Sequence, residues 1–234
     1  MNPFKVVQDF EQALCEYTGA PYAVTTNSCT MALQLAVAWH LRAGPYPGWR
    51  LNANCEIGGL GRWEVEIPKR TYVGVPMAII HAGGRPTFRD EDWRGFYQLR
   101  PLPVWDCARY FTSGMAGPRQ YLSEDADDVW HMFISPRQMK CVSFHWNKTL
   151  GIQQGGAILH DDPAADRWLR MARFDGRQEG VPPAEQKEWI IGHHCYMSPE
   201  VAAAGLVRLH HLPRHNASLP ADNYPDLSTM EIFR

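Results

Sequence analysis

Short apolar runs alternate with helical segments along most of this 234-residue chain, and that alternation limits its architecture more than any single residue does. A helix is expected from about Lys5 to Tyr17, where Phe10, Leu14 and Tyr17 fall at helical spacing and Gly19 supplies a stop. A strand over Tyr22 to Thr25 follows, then a helix carrying Met31, Leu33, Leu35, Val37 and Trp39, capped by Ser28 or Asn27. Val65 to Ile67, Arg85 to Phe88, and the apolar runs around Val104, Val142 and Ile158 mark further strands. Pro76 suits the first turn of a helix that Gly83-Gly84 ends, a further helix runs from about Pro163 to Arg173, and Ser198-Pro199 opens one that reaches about His210. This order predicts a three-layer α/β/α protein with a mostly parallel sheet covered on both faces, an arrangement that holds ligands at the carboxyl ends of its strands.

Several segments break the rhythm. Residues 44–61, rich in Gly, Pro and Asn, read as a surface insertion, and 111–137 are irregular apart from Trp130 to Ile134. Only Trp93 to Pro101 precedes the Val104 strand, which leaves little room for another strand-helix unit. Pro213, Pro220 and Pro225 make 212–234 a coil tail. With 45% apolar and 21% charged residues, the chain should bury one ordinary core, and residues 1–234 are expected to form a single domain.

The net charge of −2 gives no basic field for a phosphate backbone, so no nucleic-acid partner is expected. No stretch approaches a membrane span, and Met1-Asn2-Pro3-Phe4-Lys5 lacks the apolar core of a signal peptide, so the protein reads as cytoplasmic with no membrane partner. Six cysteines lie scattered without a C-x-x-C pair and read as free thiols. His211 and His215 have the spacing of a helical metal pair, but Pro213 stands between them and no H-E-x-x-H occurs, so no metal is expected.

Chemistry concentrates in four motifs. In Ser143-Phe144-His145-Trp146-Asn147-Lys148, followed by Gly155-Gly156 and the strand Ala157-Ile158-Leu159, a lysine stands just past a strand where an amine would meet a carbonyl cofactor. A surface lysine and a Gly-Gly turn are each ordinary, so the motif gains weight only from its companions. Ser28, Cys29 and Thr30 open a helix whose free N–H groups and dipole favour a phosphate, with plain capping as the other reading. Pro68 to Val73 follows a strand and carries Tyr72. The strand Leu102 to Trp105 ends in Asp106-Cys107-Ala108, where an unpaired carboxylate would be costly; a cationic partner or a solvated loop position would relieve it.

In this order the four motifs resemble the DegT/DnrJ/EryC1/StrS family, sugar-nucleotide aminotransferases that use pyridoxal 5'-phosphate on a fold-type I scaffold. The resemblance spans roughly residues 9 to 211. It implies that Lys148 bonds the cofactor aldehyde and shuttles a proton, that Asp106 pairs with the pyridine N–H, and that Tyr72 lies against the ring. It further implies that Ser28, Cys29, Thr30 and Ser143 hold the phosphate, with His145 beside them. Cys29 replaces a glycine of the family pattern, Gln154 a glutamate, and Arg109 stands where relatives often carry His or Gln near the phenolic oxygen. Gly192 to Met197 resembles the family's G-x-N-x-R-M run, with His194 in place of the Asn that reaches the neighbouring subunit's phosphate and Tyr196 in place of the Arg.

The resemblance thus implies a homodimer with a shared site that transfers an amino group from an amino acid, with glutamate the expected donor, to a keto sugar nucleotide. The family's C-terminal small domain is expected to be largely absent. Two alternatives keep the fold: a pyridoxal-phosphate sugar dehydratase, whose known examples carry His at the lysine position, and a non-catalytic remnant.

Overall fold

The structure, a computed structural model, describes residues 2–42, 63–117 and 137–233. The insertion read at 44–61, Cys55, and the Trp130 to Ile134 run lie outside the described residues. The other five cysteines are free thiols.

Helix α1 (Lys5–Thr18) ends at Gly19, whose left-handed backbone returns its N–H to Cys15. Strand β1 (Tyr22–Thr26) leads into α2 (Cys29–Arg42), and Ser28 rather than Asn27 caps it: the Ser28 hydroxyl accepts from the Met31 N–H at 3.2 Å. Then come β2 (Glu64–Pro68), α3 (Gly74–His81), β3 (Arg85–Arg89), β4 (Tyr97–Leu99), β5 (Val104–Asp106), β6 (Met139–Ser143) and β7 (Gly156–His160). The Asp162 carboxylate accepts from the N–H groups of Ala164 and Ala165 to start α4 (Pro163–Ala172), and Ser198 caps α5 (Pro199–His211).

Alternate residues along the central strands serve two cores. Val24, Val104, Cys141 and Ile158 pack against Leu33, Leu35 and Val37 of α2, Ile79 of α3 and Leu169 of α4. Their neighbours Ala23, Trp105, Val142, Ala157 and Leu159 pack on the opposite face against Phe10 and Leu14 of α1 and Leu209 of α5. Covering both faces explains why these strands read as continuous apolar runs, and each buried side chain of Leu or Phe size contributes roughly 1.5–3 kcal/mol. The layered α/β/α class therefore holds.

The sheet itself is mixed, not mostly parallel. Its order is β1-β7-β6-β5-β4, and of these four pairings only β5 with β6 is parallel. A parallel neighbour needs a crossover of about a dozen residues or more, whereas residues 100–103 between β4 and β5 permit only a hairpin return. The shortage of room before the Val104 strand thus reverses β4. Strands β2 and β3 pair in parallel, and β2 joins β4 through a bridge in which Glu66 and Arg100 exchange both backbone hydrogen bonds, at 2.7 and 3.0 Å.

Charges inside the α1 side of the fold are paired. Glu11 accepts from the Thr25 N–H and hydroxyl, each at 2.8 Å, and meets Arg170 at 2.6 Å and Arg173 more closely still. Burial raises the Glu11 carboxyl, yet the two guanidiniums and the Thr25 N–H outweigh it and hold the group below the usual carboxylate range. This network fixes α1 to β1 and α4. Among the described residues no helix is long and apolar enough to cross a membrane.

The tail expected as coil has two short 3-10 turns, Leu227–Thr229 and Glu231–Phe233, and Leu227 and Phe233 are buried. It packs back on the body, with Phe233 edge-on to Phe88.

Candidate active site

Strands β5 and β6 end, and β7 begins, along one edge of the sheet, and there a cavity of about 380 Å³ opens. The volume falls within the usual small-molecule range of roughly 300–1,000 Å³. Nine of the ten residues singled out from sequence line it: Ser28, Cys29, Thr30, Tyr72, Asp106, Arg109, Ser143, His145 and Lys148.

Asp106, the last residue of β5, is buried at the cavity floor. Its Oδ1 accepts from the Ala108 N–H at 2.9 Å and its Oδ2 from the Tyr97 hydroxyl at 2.7 Å. Burial raises its pKa, while these two donors and the positive charge of Lys148 act in the opposite direction.

Lys148 closes a turn in which its N–H returns to the His145 carbonyl at 2.9 Å. Burial lowers its pKa, and the charge of Arg109 adds to that, opposed by Asp222, Asp106 and Cys29. The outcome is an amine easier to deprotonate than a surface lysine. Ser143 ends β6 nearby, and its hydroxyl accepts from the His145 N–H at 3.4 Å. His145 itself points Nδ1 to Asn147 at 2.8 Å.

The first turn of α2 reaches the same edge because Gly156 lets it. A Cβ at Gly156 would stand 2.6 Å from the Cys29 nitrogen and 2.7 Å from its Cα, so only a glycine allows β7 and α2 this approach. Burial, with Asp106 next, keeps the Cys29 thiol well above its usual pKa and therefore protonated. Tyr72, 56% exposed, stands at the mouth, its ring lying against Gly74. Gln154 also contributes to the lining.

Arg109 does not point into solvent. It is 7% exposed, its Nη1 meets Asp222 Oδ2 at 2.5 Å, and its Nε donates to the Pro220 carbonyl. His194 lies outside this cavity; its exposed ring pairs with Asp175 at 3.0 Å and stands edge-on to Tyr196. Its segment still supports the site from behind, since the Asn27 N–H donates to the Cys195 carbonyl at 2.8 Å and Met197 packs against Gly155.

Sequence reasoning missed four lining or supporting residues. Tyr97 stands directly opposite Asp106 in the β4–β5 register, and the alternation of Tyr97 and Leu99 was its only local signal. Thr71, bonded to the Tyr97 hydroxyl at 2.6 Å, sits within the Pro68 to Val73 motif. Asp222 and Tyr224 come from the tail and had no local signal. Among the described residues, no group of three or more His, Cys, Asp or Glu could hold a metal ion.

The sequence model of the DegT/DnrJ/EryC1/StrS aminotransferase family matches residues 2–101 and 105–220. The chain belongs to that family. A GDP-perosamine synthase of Caulobacter vibrioides is 22% identical over 240 residues, which cover 92% of this chain and 59% of that relative. The chain thus spans about three fifths of the length of its curated relative.

Solved structures agree on the fold of this family member. A variant of GDP-4-keto-6-deoxymannose-3-dehydratase with bound GDP-perosamine superposes with a TM-score of 0.62 at 16% identity, covering 89% of this chain and 61% of that one. A sugar aminotransferase from Micromonospora echinospora gives 0.59 at 17% identity, with 88% and 61% covered.

Proposed function

We propose that this chain is a pyridoxal-phosphate-dependent aminotransferase that moves an amino group from an amino acid, with glutamate the expected donor, to a keto sugar nucleotide. The single observation that carries this reading is the meeting of Lys148, Asp106 and the first turn of α2 around one cavity. Family membership and the relatives, a GDP-perosamine synthase and sugar aminotransferases among them, support the substrate class.

The residues present fit the cofactor. A buried carboxylate faces the cavity, a lysine with lowered pKa lines it, and the Ser28 hydroxyl engages only the Met31 N–H of the α2 N-terminus, leaving earlier N–H groups for an anion. When bound, pyridoxal phosphate supplies an aldehyde for amine exchange and an electron sink.

Each side chain then has a definite task. Ser28, Cys29 and Thr30 hold the phosphate through backbone N–H groups and hydroxyls, and Ser143 and His145 add to that end of the site. Asp106 keeps a proton on the pyridine nitrogen, and the positive partner it gains offsets the cost of burying its charge. Tyr72, at the cavity mouth, would lie against the cofactor ring. Lys148, whose lowered pKa favours the free amine, would be the group that bonds the cofactor aldehyde with loss of water, and its Nζ would be placed to move a proton between substrate and cofactor. His194, exposed and outside its own cavity, would reach the phosphate held by the other subunit of a homodimer.

Borohydride reduction of the protein loaded with pyridoxal phosphate, followed by peptide mapping, tests the reading. The pyridoxyl group should be found on Lys148, and the yellow colour should bleach with an amino donor. An adduct on Lys140 would overturn the assignment. A colourless protein that cannot be reconstituted would leave the remnant reading, and sugar dehydration without amine exchange would favour the dehydratase.

A further inference from the structure

The chain between Pro220 and Leu227 crosses the mouth of the cavity as a strap. Its start is pinned by the Arg94–Pro220 bridge and by the Leu219 N–H, which donates to the Arg109 carbonyl at 2.8 Å. Its far end is pinned by the Leu227 N–H, which donates to the Lys69 carbonyl at 2.8 Å. In between, the Tyr224 ring lies nearly parallel to Trp93 with centroids 6.2 Å apart. Asp222 Oδ2 meets Arg109 Nη1 at 2.5 Å and accepts from the Tyr224 hydroxyl at 3.1 Å. Both Asp222 and Tyr224 line the cavity that holds Lys148, and both lie beyond residue 220, the last that the family model matches.

We propose that Asp222 is a positioning residue of this site: it fixes the Arg109 guanidinium against the cavity wall and offsets its charge beside the Lys148 amine. The inference rests on Lys148 being the reactive amine.

A guanidinium cannot shed its proton, so one as deeply buried as that of Arg109 needs an anion within reach. Asp222 is the carboxylate paired with it, and the strap holds the fork at two points, since Arg109 Nε also donates to the Pro220 carbonyl. Without Asp222 the fork loses one anchor and its charge acts undiminished within the cavity. After burial, Arg109 is the strongest influence lowering the Lys148 pKa, and Asp222 the strongest opposing it. Asp106 acts in the same sense as Asp222, from the β5 end, and Cys29 at the start of α2 would do so only as a thiolate. Among the described residues, Tyr72, Tyr224 and His145 complete the titratable groups lining the cavity around that amine.

The test uses the full chain without cofactor. Trinitrobenzenesulfonate modifies neutral amines, and peptide mapping reads the rate at Lys148 across pH. Asp222→Asn should lower the midpoint by roughly half a pH unit or more, because an unscreened cation disfavours a second one. Arg109→Gln should raise it, and Asp222→Glu should restore the native value. Loosening of the strap alone cannot move the midpoint in opposite directions for two partners of one pair. An unchanged or raised midpoint in Asp222→Asn overturns the proposal. Should that variant fail to fold, an unchanged or lowered midpoint in Arg109→Gln overturns it equally. The reagent reports on the amine itself, so loss of the pyridoxyl adduct at Lys148 would overturn the aminotransferase reading and leave this profile standing.

Discussion

Tyr97 and Asp106 face each other across the antiparallel β4–β5 pair, and the Tyr97 hydroxyl donates to Asp106 Oδ2 at 2.7 Å. Its one hydrogen is thereby used, so the 2.6 Å contact with Thr71 must be a donation from the threonine. Tyr97→Phe removes a donor that favours the ionised form of the buried Asp106 carboxyl. The Asp106 pKa, already raised by burial, should rise further, and stability should fall by about 1–3 kcal/mol. Carbon-13 NMR of the labelled carboxyl reads the first effect and urea unfolding the second. A lower or unmoved Asp106 midpoint would show that this hydrogen bond does not govern the carboxylate.

Asp106→Asn should still admit pyridoxal phosphate but slow amine exchange by about 10²-fold or more, because a neutral amide stabilises a pyridine-bound proton poorly. Single-turnover absorbance with an amino donor measures it. Native-like rates would mean that the carboxylate serves the fold alone.

Gly156→Ala puts a methyl group 2.6 Å from the Cys29 nitrogen and 2.8 Å from the Val142 carbonyl oxygen, both backbone atoms that cannot rotate aside. The first turn of α2 must then move off the sheet edge. We expect a loss of about 1–3 kcal/mol in urea unfolding and faster release of bound pyridoxal phosphate in dialysis. A variant as stable and as retentive as the parent would refute the close approach.

His40 supplies an acid-sensitive element away from the site. Burial pushes its imidazole down to about 4, and among the described residues its Nε2 has no hydrogen-bond partner. The folded chain therefore binds fewer protons than the unfolded one, whose His titrates near 6.5. The corresponding stability is present above pH 6.5 and is lost as pH falls from there toward 4, on the order of 2 kcal/mol. Urea midpoints compared at about pH 7 and about pH 4.5 should show a shallower acid loss in His40→Gln. Equal losses in both proteins would assign the acid sensitivity elsewhere.

The sequence by itself determined the local elements and the residue types of the site. Caps at Ser28 and Ser198 and the stop at Gly19 act within a few residues, so their chemistry is readable in place. The motifs that carry Ser28, Tyr72, Asp106 and Lys148 sit where strands give out, and a layered fold brings strand ends to a common edge. The tertiary structure alone decided the pairings. Strand β4 reverses because the short connection to β5 forbids a crossover, a consequence that appears only once β5 is known to be its neighbour. Arg109 finds Asp222 across 113 residues of chain, and nothing local to either distinguishes that carboxylate from the others on the surface. His194 sits within the Gly192 to Met197 run yet turns outward to Asp175, because which way a side chain faces depends on what packs behind its backbone. Short-range chemistry is written in neighbouring residues, while long-range contacts depend on how the connections fold back.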